Sequence, residues 1–232
     1  MYILHIANKN YSSWSLRPWV LLTTFGIPFE EKLHRFPADG SSSYPEFRTF
    51  SPTGYVPVLE DTDENERVWD SLSIVFYLAE RHPEVWPADR HARTWARSAA
   101  SEMHSSFFAL RNQCGMNVGI RSKRPPIDAA LERDLDRLDA LWADGLARFG
   151  GPFLAGDRFS AVDAFFCPVA FRVQTYDLPL AQASLDYVQR LLDLPAMRDW
   201  YAAGIAEDFR EPAHDAETAG AYELIADYRA KA

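Results

Sequence analysis

Apolar residues recur along this chain first at strand spacing and helical spacing in turn, and then at helical spacing alone. Residues 2–7 form a short apolar run of strand length, which predicts a buried strand. Leu16, Trp19, Val20, Leu21, Leu22 and Phe25 then fall at helical spacing. Proline is tolerated in a first helical turn, so Pro18 predicts a helix beginning near Ser15 or one residue earlier. Gly26, followed by Pro28, predicts its end. Residues 29–35, 56–60 and 67–69 read as further strands, with polar residues 61–66 as the hairpin turn between the last two. Residues 38–51 are loop-rich, with a short helix at 45–48. Residues 70–81 read as a helix whose inner face is Leu72, Val75, Phe76 and Leu78.

The first eighty residues therefore read β-α-β-(α)-β-β-α. A linker, His82-Pro83 to Pro87-Ala88, follows. Beyond it strand patterns vanish, and residues 91–121, 127–149, 160–173, 184–192 and 195–205 carry helical patterns broken by Pro and Gly. The pattern predicts an α/β domain at 1–82 and an all-α helical domain at 89–232. Ser160-Ala161-Val162-Asp163 reads as a capping box, a folding signal worth about 1 kcal/mol.

Composition narrows the function. The 232 residues are 47% hydrophobic and 25% charged, with a net charge of −9. That balance suits a folded soluble chain and repels nucleic-acid backbones and anionic membranes; Arg121, Lys123 and Arg124 form only a short basic cluster. No apolar run is long enough to span a bilayer, and the N-terminus lacks the basic and apolar regions of a signal peptide. These features predict a cytoplasmic protein with no nucleic-acid or membrane partner. Cys114 and Cys167 are far apart and the six histidines are scattered, so no metal is expected.

Three segments together resemble the cytosolic glutathione S-transferase family. Gly54-Tyr55-Val56-Pro57-Val58-Leu59 and Trp69-Asp70-Ser71-Leu72-Ser73-Ile74 are similar to that family's two glutathione-site segments. Phe153-Leu154-Ala155-Gly156-Asp157-Arg158-Phe159-Ser160-Ala161-Val162-Asp163 is similar to its opening of a core helix. The resemblance covers nearly the whole chain. It implies a thioredoxin-like N-terminal domain, a helical C-terminal domain, glutathione as co-substrate and a homodimer. Ser12-Ser13-Trp14-Ser15-Leu16-Arg17 resembles the Ser-Ser-Cys-Ser-x-Arg element of the zeta class, which implies Ser12 as the catalytic hydroxyl, with Ser13 beside it. Trp14 stands where that class has cysteine.

The chemistry agrees with the resemblance. A free thiol has a pKa of roughly 8.5, and glutathione reacts as thiolate. A hydroxyl donor at a helix N-terminus favours the anion. Ser15 is expected to cap the helix, and Arg17 to brace the serine loop. The resemblance implies a cis Val56-Pro57 bond, which turns the Val56 backbone toward the cysteinyl part of glutathione. At the opening of a helix, Ser71 can grip the γ-glutamyl carboxylate and Asp70 can pair with its ammonium, while His34 and Arg35, at the end of the second strand, can meet the glycyl carboxylate. His104, Phe107 (or Phe108) and Arg111 lie at helical spacing within 91–121 and, with Trp14, are expected to line the pocket for a small electrophile. Each has a plainer reading: Asp70 and Ser71 as helix caps, His34 and Arg35 as surface charge, and the aromatics as core. The functions in view are conjugation of a small electrophile by a glutathione thiolate, a maleylacetoacetate-type cis–trans isomerisation using glutathione, and a non-catalytic binding or regulatory protein of the same fold.

Overall fold

The computed structural model describes residues 1–230. Four strands form the first sheet: β1 (Tyr2–Ala7), β2 (Phe29–His34), β3 (Val58–Asp61) and β4 (Glu66–Val68), in the order β2-β1-β3-β4. β2 runs parallel to β1, as a crossover through a helix requires, while β3 and β4 are antiparallel to their neighbours. Every β1 residue is buried, so this strand reads as a nearly continuous apolar run with His5 as its one polar member.

Helix α1 (Ser13–Thr24) supplies that crossover. It starts two residues before the expected Ser15, and Pro18 lies inside it. Ser12 occupies the cap position but makes no capping bond. Ser15 is fully buried instead, and its Oγ accepts the Ala7 N–H of β1 at 3.3 Å. Burial of Leu16, Val20, Leu21 and Leu22 offsets the helical bond that Pro18 removes. The end is as expected: Gly26 takes a left-handed φ of +63°, and the Ile27 N–H reaches the Leu22 carbonyl at 2.9 Å.

A short helix α2 (Tyr44–Phe47) precedes the cis Val56-Pro57 bond. Gly54, at φ +73°, packs where a Cβ would collide with the Tyr44 ring. Helix α3 (Ser71–Arg81) closes the first unit, capped by Asp70, whose carboxylate accepts the Leu72 N–H at 2.9 Å and the Ser73 N–H at 3.3 Å. Ile74, Val75 and Leu78 are its buried face, and Phe76, expected inside, is exposed. The predicted linker is ordered by a 3-10 turn at Pro83–Val85, with Val85 and Trp86 buried.

The second unit contains α4 (Arg90–Ser105), α5 (Phe108–Gln113), α6 (Ala129–Phe149), α7 (Ala161–Tyr176), α8 (Gln182–Leu192), α9 (Pro195–Ala206) and α10 (Pro212–Glu217). It also holds two strands that the sequence pattern does not show, β5 (Ile120–Ser122) and β6 (Leu224–Asp227), paired antiparallel. The predicted helix over 91–121 is broken at Phe107, which sits at φ +58° and only 3% exposed. Helix α7 is the spine, nearly all of it buried, with Phe165, Phe166 and Phe171 facing inward. The capping box at its start is formed. Helix α1 packs directly on α7 and α9, so one apolar core joins the two units.

Candidate active site

The mouth of α1 opens on a cavity of about 410 Å³. The β1–α1 loop and first helical turn contribute Ser12, Ser13 and Trp14, the loop before the cis proline contributes Val56, and α5 contributes Arg111. Of the residues singled out from sequence, these five meet there. Arg172 of α7 and His214 of α10 add a second guanidinium and an imidazole to the lining. Neither was anticipated. Arg172 is the one cation in a mostly apolar helix, an oddity of pattern that could have marked it. The polar segment around His214 carries no such signal.

The two serines differ in commitment. Ser12 Oγ donates to Ser15 Oγ at 2.7 Å, and both are buried. Ser13, half-buried at the first helical position, has a hydroxyl with no protein partner among the described residues. The helix opening is uncapped, so first-turn N–H groups stay available to an anion.

Trp14 organises the charges around it. The Arg17 and Arg111 guanidinium carbons lie 4.2 Å and 4.7 Å from its ring centre. His104 meets the ring edge-on, centroid to centroid 5.2 Å. His104 and Arg111 thus share Trp14 although the break at Phe107 puts them on different helices. Phe107 itself belongs to the core and does not line the cavity. Arg17 is buried, packs also on Phe165 at 4.9 Å, and donates to Ser71 Oγ at 3.4 Å. It braces the opening of α3 as well as the serine loop. Burial, with Arg111 and Arg172 adding repulsion, pulls the Arg17 guanidinium down to about 9. Burial also holds the His104 imidazole below its ordinary value, against the pull of Asp70.

Ser71 is fully buried at the first position of α3. Asp70 keeps one oxygen on the helix N–H groups and sets the other 3.2 Å from His104 Nε2, which links α3 to α4. Asp70, Ser71, Pro57 and His104 lie outside the cavity lining. His34 and Arg35 turn elsewhere. His34 Nε2 is 2.8 Å from His5 Nδ1, with its ring stacked on Phe50 at 4.0 Å. Arg35 is exposed and pairs with Asp208 at 3.5 Å. Neither reaches the cavity, because each finds a nearer partner. Among the described residues, no group of three or more His, Cys, Asp or Glu side chains is disposed to hold a metal, and no helix is long and apolar enough to cross a membrane.

Comparison with known proteins follows this geometry. Residues 11–81 match the glutathione S-transferase N-terminal domain model, and residues 90–203 the C-terminal domain model. A zeta class glutathione S-transferase of Euphorbia esula is 30% identical over 68% of this chain and 70% of its own. Glutathione S-transferase 1 of Dianthus caryophyllus is 30% identical over 71% of this chain and 75% of its own. The solved structure of a glutathione transferase homolog from Burkholderia GL BGR1, with bound glutathione, superposes with a TM-score of 0.64 at 21% identity, covering 88% of this chain and 97% of that one. The two domain models, the zeta relative and the shared fold agree: the chain belongs to the glutathione S-transferase family, with a zeta-like sequence.

Proposed function

We propose that this transferase lays glutathione along the Val56 backbone and the opening of α3, with its thiol at the mouth of α1. The observation that carries the reading is that Ser13, the uncapped first turn of α1 and Val56, next to its cis proline, face one cavity. Val56 offers backbone groups to an extended peptide as an added strand would. Ser71 keeps its hydroxyl proton for a carboxylate, since it only accepts from Arg17. The thiolate is favoured by the helix terminus, by a serine hydroxyl and by nearby arginines, each stabilising negative charge. Sulfur then attacks a small electrophile held in the cavity. On this reading residues 1–82 form the glutathione domain and residues 89–232 the electrophile domain. The protein is cytoplasmic, homodimeric and needs no metal.

A second reading has its own support. Arg111 and Arg172 line the cavity, and two guanidinium groups suit an acidic co-substrate, as in a maleylacetoacetate-type isomerisation. Turnover of that acid against a panel of chloro-nitrobenzene and peroxide substrates separates the two. Immobilised glutathione should retain the protein and free glutathione elute it. No binding at millimolar glutathione would leave only a non-catalytic protein of this fold.

A further inference from the structure

Beside the serines, the cavity wall carries a histidine backed by a carboxylate. His214 Nδ1 lies 2.6 Å from Glu211 Oε2. Glu211 is 4% exposed and also accepts the Ala213 and His214 N–H groups at 3.2 Å and 2.6 Å. The imidazole is stacked between two rings, Tyr11 at 5.1 Å and Phe36 at 4.8 Å. Its backbone is tied down as well: the His214 carbonyl accepts from Thr218 Oγ1 at 2.7 Å, and Thr218 Oγ1 accepts from buried Asn117 at 3.1 Å. Nε2 has no protein partner among the described residues, and the residue lines the same cavity as Ser12 and Ser13. An imidazole fixed in one tautomer by a buried carboxylate, with the other nitrogen free, is the arrangement that accepts a proton well.

Resting on the glutathione reading above, we propose that His214 is the catalytic residue that takes the thiol proton of glutathione, with Glu211 as its positioning residue. The S–H bond breaks, the electron pair stays on sulfur, and the proton bonds to Nε2. The imidazolium that results faces the Glu211 carboxylate. As the thiolate bonds to carbon, the displaced group leaves with the electron pair of its own bond, and the proton passes from Nε2 to water, which restores the neutral imidazole beside the Glu211 carboxylate. Ser13 and the α1 terminus keep their part, since they hold the anion that His214 creates.

The neighbouring charges leave this role to the dyad. The Tyr11 hydroxyl is committed to Asp215 at 2.9 Å, and Asp215 is paired with Arg229 at 2.5 Å. Arg111 and Arg172, the arginines on the cavity wall, disfavour a further positive charge. Glu217 is the carboxylate on that wall, and with Glu211, behind His214, it opposes them.

The test mixes the full-length protein rapidly with glutathione and follows thiolate absorbance in the ultraviolet across pH, with affinity measured separately by calorimetry. His214→Ala should slow thiolate formation at least tenfold while changing glutathione affinity by less than threefold, and added imidazole should restore much of the rate. Glu211→Gln should slow thiolate formation with glutathione affinity unchanged, and Glu211→Asp, which keeps a carboxylate, should restore part of the rate. Glutathione binding with a wild-type rate in His214→Ala, or a slow rate that imidazole does not restore, overturns the inference alone. Absence of glutathione binding by the wild-type protein overturns the glutathione reading and this inference with it.

Discussion

The Arg17 guanidinium lies over the Trp14 ring at 4.2 Å, and it has no acidic partner within ion-pair distance among the described residues. A buried cation is costly unless something compensates it. Here the compensation is the π-face of Trp14, the Phe165 ring at 4.9 Å and the Ser71 hydroxyl. A desolvated cation–π pair is worth about 2 kcal/mol. Trp14→Leu should therefore destabilise the protein by about 2 kcal/mol or more, and Trp14→Phe, which keeps an aromatic face, by roughly half as much. Urea unfolding measures both; equal losses would show that Trp14 acts by volume alone.

Asp61 ties the end of β3 to α3. It accepts from Tyr77 at 2.8 Å and from Arg81, and is 1% exposed. Burial alone would raise its carboxyl, but these hydrogen bonds outweigh it and hold the group at about 2. A carboxyl depressed on folding stabilises above its unfolded pKa of about 3.9 and loses that contribution as pH falls toward the folded value. Stability should drop by about 2 kcal/mol between pH 5 and pH 2 from this group. In Asp61→Asn that part of the drop should vanish. Parallel stability–pH curves for the two proteins would contradict the assignment.

Asp163 does more than cap. Besides the Ser160 N–H at 2.9 Å, it accepts the Leu154 N–H at 3.1 Å and the Tyr187 hydroxyl at 2.8 Å, all buried. Asp163→Ala should cost about 3 kcal/mol or more, since each abandoned buried donor carries its own desolvation penalty. A loss near 1 kcal/mol, the worth of a helix cap, would reduce the residue to its local role.

Local chemistry was legible and distant pairing was not. The Ser160–Asp163 box, the Gly26 stop and the strand-helix order through α3 follow from neighbours in sequence, and each is in the structure. The partners of Asp163 are invisible locally, because Tyr187 arrives from another helix. The break at Phe107 has no Gly, Pro or Asn to announce it. β5 and β6 pair across about a hundred residues, and three or four residues are too few to show a period. The start of α1 was misplaced because Ser15 gives its oxygen to Ala7 of β1, a contact that the cap rule does not see. His34 and Arg35 were read as glutathione ligands from their place at a strand end; His5, Phe50 and Asp208 decide where they point.

That same misplacement changes the weight between the serines. Ser12 must give up Ser15 to reach a ligand, whereas Ser13 loses nothing. Ser15→Ala should lower stability by about 1 kcal/mol with glutathione affinity unchanged. Ser12→Ala should do likewise.

The ionisation of bound glutathione, followed by ultraviolet absorbance as pH is raised, tests the thiolate site most directly. The thiol pKa should lie at least one unit below the free value of about 8.5 in the wild-type protein, and should rise toward that value in Ser13→Ala. Glutathione bound with an unshifted thiol would contradict it.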